Sequence, residues 1–429
     1  MEISLQESIS ALKLLVDRLN FLHKVSQKIS ENKPLSKLLT EIIQESKLVM
    51  DAEAGSLLLY DPEQKVLTFH IATGEKTRGL TRRRLKPGEG IAGWVAKHKE
   101  PLIIDDCYQD ERFEPVYDRK SDFTTRSMVC VPMMRKNKLI GVMQAINKKN
   151  GGTFSRQDLN IFETLASQCA IAIENARLVE DRVAAKALER ELETARTIQQ
   201  NLLPEKLPDF DDLQAAAMLI PAKQVGGDFY HIFRMDDHYS LFMVADVTGK
   251  GIPAALIVST IFSYLQTYLR LEERFDLLQF MNGLNKVLMA STTSDKFVTA
   301  WVGLYHHPSR TLTSVSAGHD PTLLFRKGQK EPVSLKSGSI FLGCLDINFE
   351  TETLILNRGD VLVFYTDGVT EAWDRKQNEY GMERFVQCLA EHRGEPAPEI
   401  LKAVRQDIEV HTHRALQSDD ITCAVIKVM

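Results

Sequence analysis

Four aspartates stand where apolar runs end: Asp228 in VGGDFY, Asp246 in VADVTGKG, Asp367 in FYTDGVTEA and Asp419 in SDDITCAVIKV. Scattered over about 190 positions, they suggest a site that only folding can assemble. Hard divalent ions such as Mg²⁺ and Mn²⁺ prefer oxygen ligands, and Asp supplies them with the least side-chain freedom. Two such ions a few ångströms apart hold a phosphoester and turn a water between them into a nucleophile. No GxSxG elbow or CxxxxxR loop occurs, which leaves little room for a covalent Ser or Cys mechanism.

These positions need a scaffold. At 429 residues the chain exceeds one ordinary core, so two domains and a connector are expected. Apolar residues make up 44% and charged residues 26%, the balance of a globular protein. A net charge of −5 lacks the basic footprint that nucleic-acid binding requires first. The local cluster Lys76, Arg78, Arg82, Arg83, Arg84 and Lys86 reads as a solvated loop. Cys107, Cys130, Cys169, Cys344, Cys388 and Cys423 lie far apart without a CxxC pair. Reduced thiols packed as small hydrophobes, in a cytoplasmic protein, are therefore expected. The start, MEISLQES, does not read as a signal peptide, and no run approaches ~18 uninterrupted apolar residues, so no membrane span is expected.

Leu5, Ile9, Leu12, Val16 and Leu19 recur at alternating steps of four and three, predicting an amphipathic helix over residues 1–30. It packs on its own domain or pairs with a second chain. Residues 31–177 read as α/β: a helix from Leu35 to Met50, then GSLLLYDPEQKVLTFHIA as two strands around an Asp61-Pro62 turn. Strands follow in PLIIDD, SMVCVPMM and KLIGVMQAINK. Thr153 and Ser155 are candidate N-caps of the next helix. No Pro or Gly occurs from Ser155 to Leu203, predicting a continuous helix of roughly 45 residues, nearly 70 Å long. Leu178, Ala185, Leu188, Leu192, Ala195, Gln199 and Leu202 fall on one heptad seam, interrupted by Asp181. A parallel coiled coil with a second copy over the linker, residues 178–203, would bury that seam; folding back on its own domain is the alternative.

Residues 204–429 alternate strands and helices in blocks. Strand runs are DLQAAAMLI, DFYHIFRM, YSLFMVADV, FVTAWVGLYH, TLTSVSAGH, TLLFRKG, ETETLILN, DVLVFYTDG and ITCAVIKVM. Helices are expected over Pro253 to Leu271, Leu277 to Ala290, Met382 to His392 and Pro398 to Leu416. Two stacked sheets flanked by helices, an α+β layered fold, follow from that pattern.

The series VGGDFY, VADVTGKGIPAALI, VSAGHDP, GDVLVFYTDGVTEAW and SDDITCAVI resembles the bacterial metal-dependent phosphatases of the PP2C-like (PPM) class, in the branch of the sigma-factor regulatory phosphatases. The resemblance covers nearly all of residues 196–429 and keeps motif order. It implies an α/β/β/α sandwich, two Mn²⁺ or Mg²⁺ ions, and direct attack of a metal-bridging water on phosphoserine or phosphothreonine. Carried over by position, Asp246 is the bridging ligand, with the backbone carbonyl of Val247 beside it. Asp367 and Asp419 supply the remaining carboxylates, and Asp228 binds one metal directly or through water. Asp420 is expected to act through water beside a directly ligating Asp419. Gly249 and Gly251 let the backbone turn closely past the metals. The implied partner is a phosphorylated anti-sigma-factor antagonist of the STAS type.

The chain departs from that pattern at His231, where the family usually has Asp. If that acid holds a water, its loss weakens one metal or alters the choice between Mn²⁺ and Mg²⁺; a neutral His could also replace it as a hydrogen-bonding group. Asp320 stands where Pro or Asn is more common, and His319 is expected to stabilise that turn rather than move protons. A lone Asp-Gly is ordinarily a plain turn, but four motifs in family order favour the metal site. GGDFY also invites comparison with the GGDEF signature of diguanylate cyclases, yet Phe229 replaces the second acid. His411 and His413 read as a solvated helix face rather than a metal site.

Residues 35–177 resemble GAF sensor domains along GEGIAGWVAKHKEPLIIDD, TRSMVCVPM, LIGVMQAINKKNGGTFSRQD and IAIENARL. Asn147, Lys148, Phe154 and Asp158 reproduce most of a signature of cyclic-nucleotide-binding members, with Leu159 in place of its final acid. That signature either binds a ligand or only ties the fold together. Cys107 as a bilin attachment site is less favoured, and nothing suggests haem. Together these features predict a homodimeric signalling phosphatase: GAF sensor, helical linker, catalytic domain. Two rivals stay open, a catalytically weakened partner-binding protein and a module acting on a small phosphoester.

Overall fold

Successive leucines in β1 (Ala52–Asp61) point to opposite faces of a sheet, as the two-residue period of a strand requires. Leu57 and Leu59 enter one core; Leu58 enters another. Both faces must therefore be covered. A computed structural model describes residues 35–73, 84–115, 118, 123–272, 274–293, 295–335, 338–413 and 415–429, and the chain divides after Ala187 into two compact units.

In the first unit β1 joins β2 (Val66–Thr73), β3 (Arg84–Leu85), β4 (Leu102–Ile104), β5 (Met128–Arg135) and β6 (Lys138–Lys148) in a six-stranded sheet of order β3-β2-β1-β6-β5-β4. Helix α1 (Leu35–Val49) and the start of α3 cover one face through Leu39, Ile43, Leu159, Phe162, Leu165 and Ile173. Helix α2 (Gly90–His98) covers the other through Ile91, Ala92 and Val95. The N-terminal seam from Leu5 to Leu19 and the basic cluster from Lys76 to Arg83 lie outside the described residues; Arg84 opens β3.

Helix α3 runs 45 residues without a break, Arg156–Gln200, about 68 Å at the rise of an α-helix. Ser155 starts it with a reciprocal cap: its Oγ accepts the Asp158 N–H, while the Asp158 carboxylate accepts the Ser155 N–H. Leu178 and Leu188 are 60% and 54% exposed, so the upper seam is bare. Its last members depart from the expected heptad, because Gln199 hydrogen-bonds Gly226 and Leu202 packs on the second unit's own core. Local tertiary partners thus claim the lower end of the seam.

The second unit holds two sheets. One runs β14-β11-β10-β9-β8, with β15 also paired to β11; the other runs β13-β12-β16-β17-β7. Their strands are β7 (Leu213–Ile220), β8 (Asp228–Arg234), β9 (Tyr239–Val247), β10 (Val298–His306), β11 (Thr311–Ala317), β12 (Thr322–Phe325), β13 (Val333–Leu335), β14 (Gly338–Ser339), β15 (Glu352–Ile355), β16 (Val361–Tyr365) and β17 (Ile421–Val428). Phe242, Trp301, Tyr305, Phe364 and Ile426 fill the space between the sheets. Helices α4 (Ile252–Leu271) and α5 (Leu277–Ser291) back the first sheet. A short α6 (Asp367–Thr370) follows β16, and α7 (Met382–His392) and α8 (Ala397–Thr412) back the second. By length and composition α4 is apolar enough to cross a membrane. Its residues Ala254, Val258, Ile261 and Leu265 are instead buried against β9 and α5.

Candidate metal centre

The two sheets meet at one end in a set of carboxylates. Asp228 begins β8, Asp246 lies near the end of β9, and the antiparallel register sets them directly opposite each other. The second sheet contributes Asp367, at the first position of α6 after β16, and Asp419, two residues before β17. The Asp228 carboxylate, 4% exposed, accepts hydrogen bonds from Thr366 Oγ1 at 2.7 Å and Thr422 Oγ1 at 2.5 Å. Asp420 serves the backbone: Oδ1 accepts from the Ala222 N–H at 2.7 Å, and Oδ2 from the N–H groups of Gly227 at 2.7 Å and Asp228 at 3.3 Å. With both oxygens occupied by protein donors, it braces the loop that launches Asp228.

The electrostatics report crowding of negative charge. Burial, and then the Asp246 carboxylate, hold Asp228 well above the usual carboxylate range. Burial, then Asp367 and Asp419, push Asp246 up to about 7. Asp367 is raised by burial and by Asp419, and Asp320 by burial and by Asp367. Such a set calls for cations. Lys250, between Gly249 and Gly251 (φ +92° and +82°), places its Nζ 2.7 Å from Asp419 Oδ2 and also reaches the Ser418 carbonyl.

The all-oxygen donor set suits a hard divalent ion, and the Lys250 ammonium already stands in as a cation on Asp419. The residues fit such an ion, although among the described residues no three acids close to metal-ligand spacing. Sequence reasoning missed Thr366, Thr422 and Lys250, and gave Asp320 no part in the acidic group. Thr366 beside the TDG turn was the available signal.

His231 corrects an expectation. It lies three residues beyond Asp228 on the same strand, hence on the opposite face. Its ring stacks between Phe229 and Phe233 and meets Phe262 edge-on. It has no access to the carboxylates, and neither ring nitrogen has a hydrogen-bond partner. His319 does stabilise its turn: Nε2 donates to the Tyr365 carbonyl at 2.9 Å, and Nδ1 accepts from Thr299 Oγ1 at 2.9 Å. Burial lowers it to about 4, so it is neutral and that tautomer is required. His411 is partly exposed on α8, where it bonds Arg384 and the Asn378 carbonyl, and His413 is exposed.

In the first unit the nucleotide-type signature is internally satisfied. Asn147 accepts from the Arg126 N–H and donates to Glu53 and the Thr124 carbonyl. Lys148 pairs with Asp158 at 2.8 Å and lies over the Phe154 ring. Cys107 is buried, its thiol pushed up to about 12 by burial and nearby acids, which suits packing rather than attachment of a chromophore.

Comparison with known proteins agrees with both units. Residues 236–429 match the family described as stage II sporulation protein E (SpoIIE), and residues 34–173 match the GAF domain. The chain is 31% identical over 249 residues to phosphoserine phosphatase RsbU of Bacillus subtilis, covering 56% of this chain and 70% of RsbU. It is 30% identical over 263 residues to protein IcfG of Synechocystis sp., covering 55% of this chain and only 41% of IcfG. Among solved structures, the SiaA-PP2C domain of Pseudomonas aeruginosa superposes with a TM-score of 0.51 at 22% identity, covering 57% of this chain and 98% of that domain, a likeness of fold. With paired acids opposite each other across β8 and β9, a two-sheet sandwich and this extent of identity, the chain belongs to the RsbU family of PP2C-type protein phosphatases, with a GAF domain in its N-terminal half.

Proposed function

We propose that this chain is a cytoplasmic, homodimeric, metal-dependent phosphatase of phosphoserine or phosphothreonine proteins, controlled by its GAF domain. The carrying observation is the opposed pair Asp228 and Asp246, joined by Asp367 and Asp419 from the side of the other sheet, with Asp228, Asp246 and Asp367 raised in pKa by burial and neighbouring acids. In this reading Asp246, the Val247 carbonyl, Asp367 and Asp419 hold two Mn²⁺ or Mg²⁺ ions, with Asp228 bound directly or through water. Bound ions of this kind neutralise phosphate oxygens and lower the pKa of a water towards ~7. The chain's own part is to position: Thr366 and Thr422 orient the Asp228 carboxylate, Asp420 fixes its loop, and the Thr299–His319–Tyr365 bridge ties the first sheet to the second beside it.

The organisation we favour beyond residue 30 is a GAF sensor over 31–177, a helical linker over 178–203 and a phosphatase domain over 204–429. Similarity to RsbU supports a phosphorylated anti-sigma-factor antagonist of the STAS type as substrate, within sigma-factor regulation. The bare apolar positions of α3 support pairing with a second copy. The test is Mn²⁺- or Mg²⁺-dependent turnover by the full chain of a serine-phosphorylated STAS protein and of p-nitrophenyl phosphate, beside Asp367→Asn. Turnover without added metal, or equal in Asp367→Asn, sinks the reading.

The Lys250–Asp419 ion pair at 2.7 Å favours a second reading, in which an internal cation occupies the acid and the domain binds its partner with weakened catalysis. No metal-dependent turnover, together with retained binding of the phosphoprotein, would select it.

A further inference from the structure

The last turn of α3 carries an amide that grips one backbone unit of the carboxylate loop. Gln199 Nε2 donates to the Gly226 carbonyl at 2.7 Å, and the Gly226 N–H donates to Gln199 Oε1 at 3.0 Å. One side chain thus satisfies both polar groups of one residue. Across the same turn, Asp420 takes the N–H groups of Gly227 and Asp228. Gly226 is wedged between these holders: an added Cβ would lie 2.2 Å from Asp420 Oδ2. Beside the grip is a cavity of about 50 Å³, lined in part by Arg196, Leu203, Leu219 and Val258. Packing of the helix end is already supplied by Leu202 and Leu203, so the paired hydrogen bonds need another reason.

We propose that Gln199 is a positioning residue for the metal centre. By holding both polar groups of Gly226 it fixes the turn from which Asp228 departs, two residues on, and so presets Asp228 against Asp246 for a divalent cation. The inference rests on the metal-dependent reading above and adds α3 to the site.

The test compares full-length wild type with Gln199→Met, which keeps side-chain length and removes both hydrogen bonds, and with Gln199→Glu, which keeps an acceptor and loses the donor. Exchange of backbone amides in the metal-free 222–228 segment is read by mass spectrometry, and Mn²⁺ affinity by calorimetry. Outer hydrogen bonds to ligands commonly tune metal affinity ~10-fold or more, so Gln199→Met is expected to weaken Mn²⁺ about tenfold and to speed exchange in that segment. Gln199→Glu should lose affinity to a similar degree while the Gly226 amide exchanges at an intermediate rate. Wild-type affinity in both variants overturns the proposal, whether or not exchange changes. If Gln199→Met also loses its fold, Gln199→Glu alone decides. Absence of Mn²⁺ binding in wild type would sink the metal reading itself, and unchanged exchange would then overturn the grip as well.

Discussion

Thr422 Oγ1 stands 2.5 Å from Asp228 Oδ2, although the two residues lie on different sheets and 194 positions apart in sequence. A buried carboxylate deprived of one donor loses about 1–3 kcal/mol. Thr422→Val is expected to lower the stability of the metal-free protein by that order and to reduce Mn²⁺-dependent kcat/KM ~10-fold or more. Chemical denaturation in EDTA and turnover of p-nitrophenyl phosphate check the two effects separately.

Asp246→Asn should separate stability from activity. In the folded chain Asp246 is raised to about 7 by burial, Asp367 and Asp419, so its ionisation opposes folding above the pKa of an unfolded aspartate. Replacing it with a neutral amide is expected to stabilise the metal-free protein by ~1–2 kcal/mol at pH 8. The same change should abolish metal-dependent turnover. Thermal melts with and without Mn²⁺ give the readout; a lower metal-free melting temperature contradicts the prediction.

His231 provides a pH signature. Its ring stays neutral down to about 4, against 6.5 for an unperturbed imidazole, because burial penalises the charge. The unfolded state therefore binds the extra proton first, and stability is lost as pH falls from 6.5 towards 4. The full effect is ~3 kcal/mol. His231→Phe removes this slope and two orphaned nitrogens, with a gain of ~1–2 kcal/mol at pH 7, and leaves metal-dependent turnover within about twofold. His319 titrates low as well, in both proteins, so the difference between urea curves at pH 7 and pH 5 isolates His231.

The bare stretch of α3 predicts self-association. Leu188→Asp places a charge on a position that is 54% exposed and should leave the fold intact while shifting the chain to monomer in sedimentation velocity. Leu192→Pro should interrupt the helix by ~3 kcal/mol and uncouple any GAF-dependent change in activity. Unchanged sedimentation would remove pairing through α3, and unchanged regulation would remove control of the phosphatase domain through the linker.

Much of this molecule was legible because its signals are local. The short, near-continuous apolar runs of YSLFMVADV and ITCAVIKVM mark strands buried on both faces, and the absence of Pro and Gly from Ser155 to Leu203 marks α3. The four aspartates were visible as acids at strand ends. Their supports were not, because neither Thr422 on its strand nor Thr366 at the TDG turn shows which carboxylate it bonds until two sheets face each other. Gln199 fitted a heptad count, yet its partner Gly226 belongs to a loop 27 residues away, and nothing periodic announces that contact. The placement of His231 was within reach, since three steps along a strand reverse its direction; the family pattern drew attention to the missing acid instead.

The hairpin of β8 and β9 carries a consequence for how such chains can vary in length. One residue inserted or deleted within either strand would hand the place of an acid to Phe229 or Ala245 and bury a carboxylate beneath α4. Insertions inside the strands are therefore tolerable only in even numbers, while the turn at 235–238 can absorb odd ones. Aligned relatives should show their gaps distributed by that arithmetic.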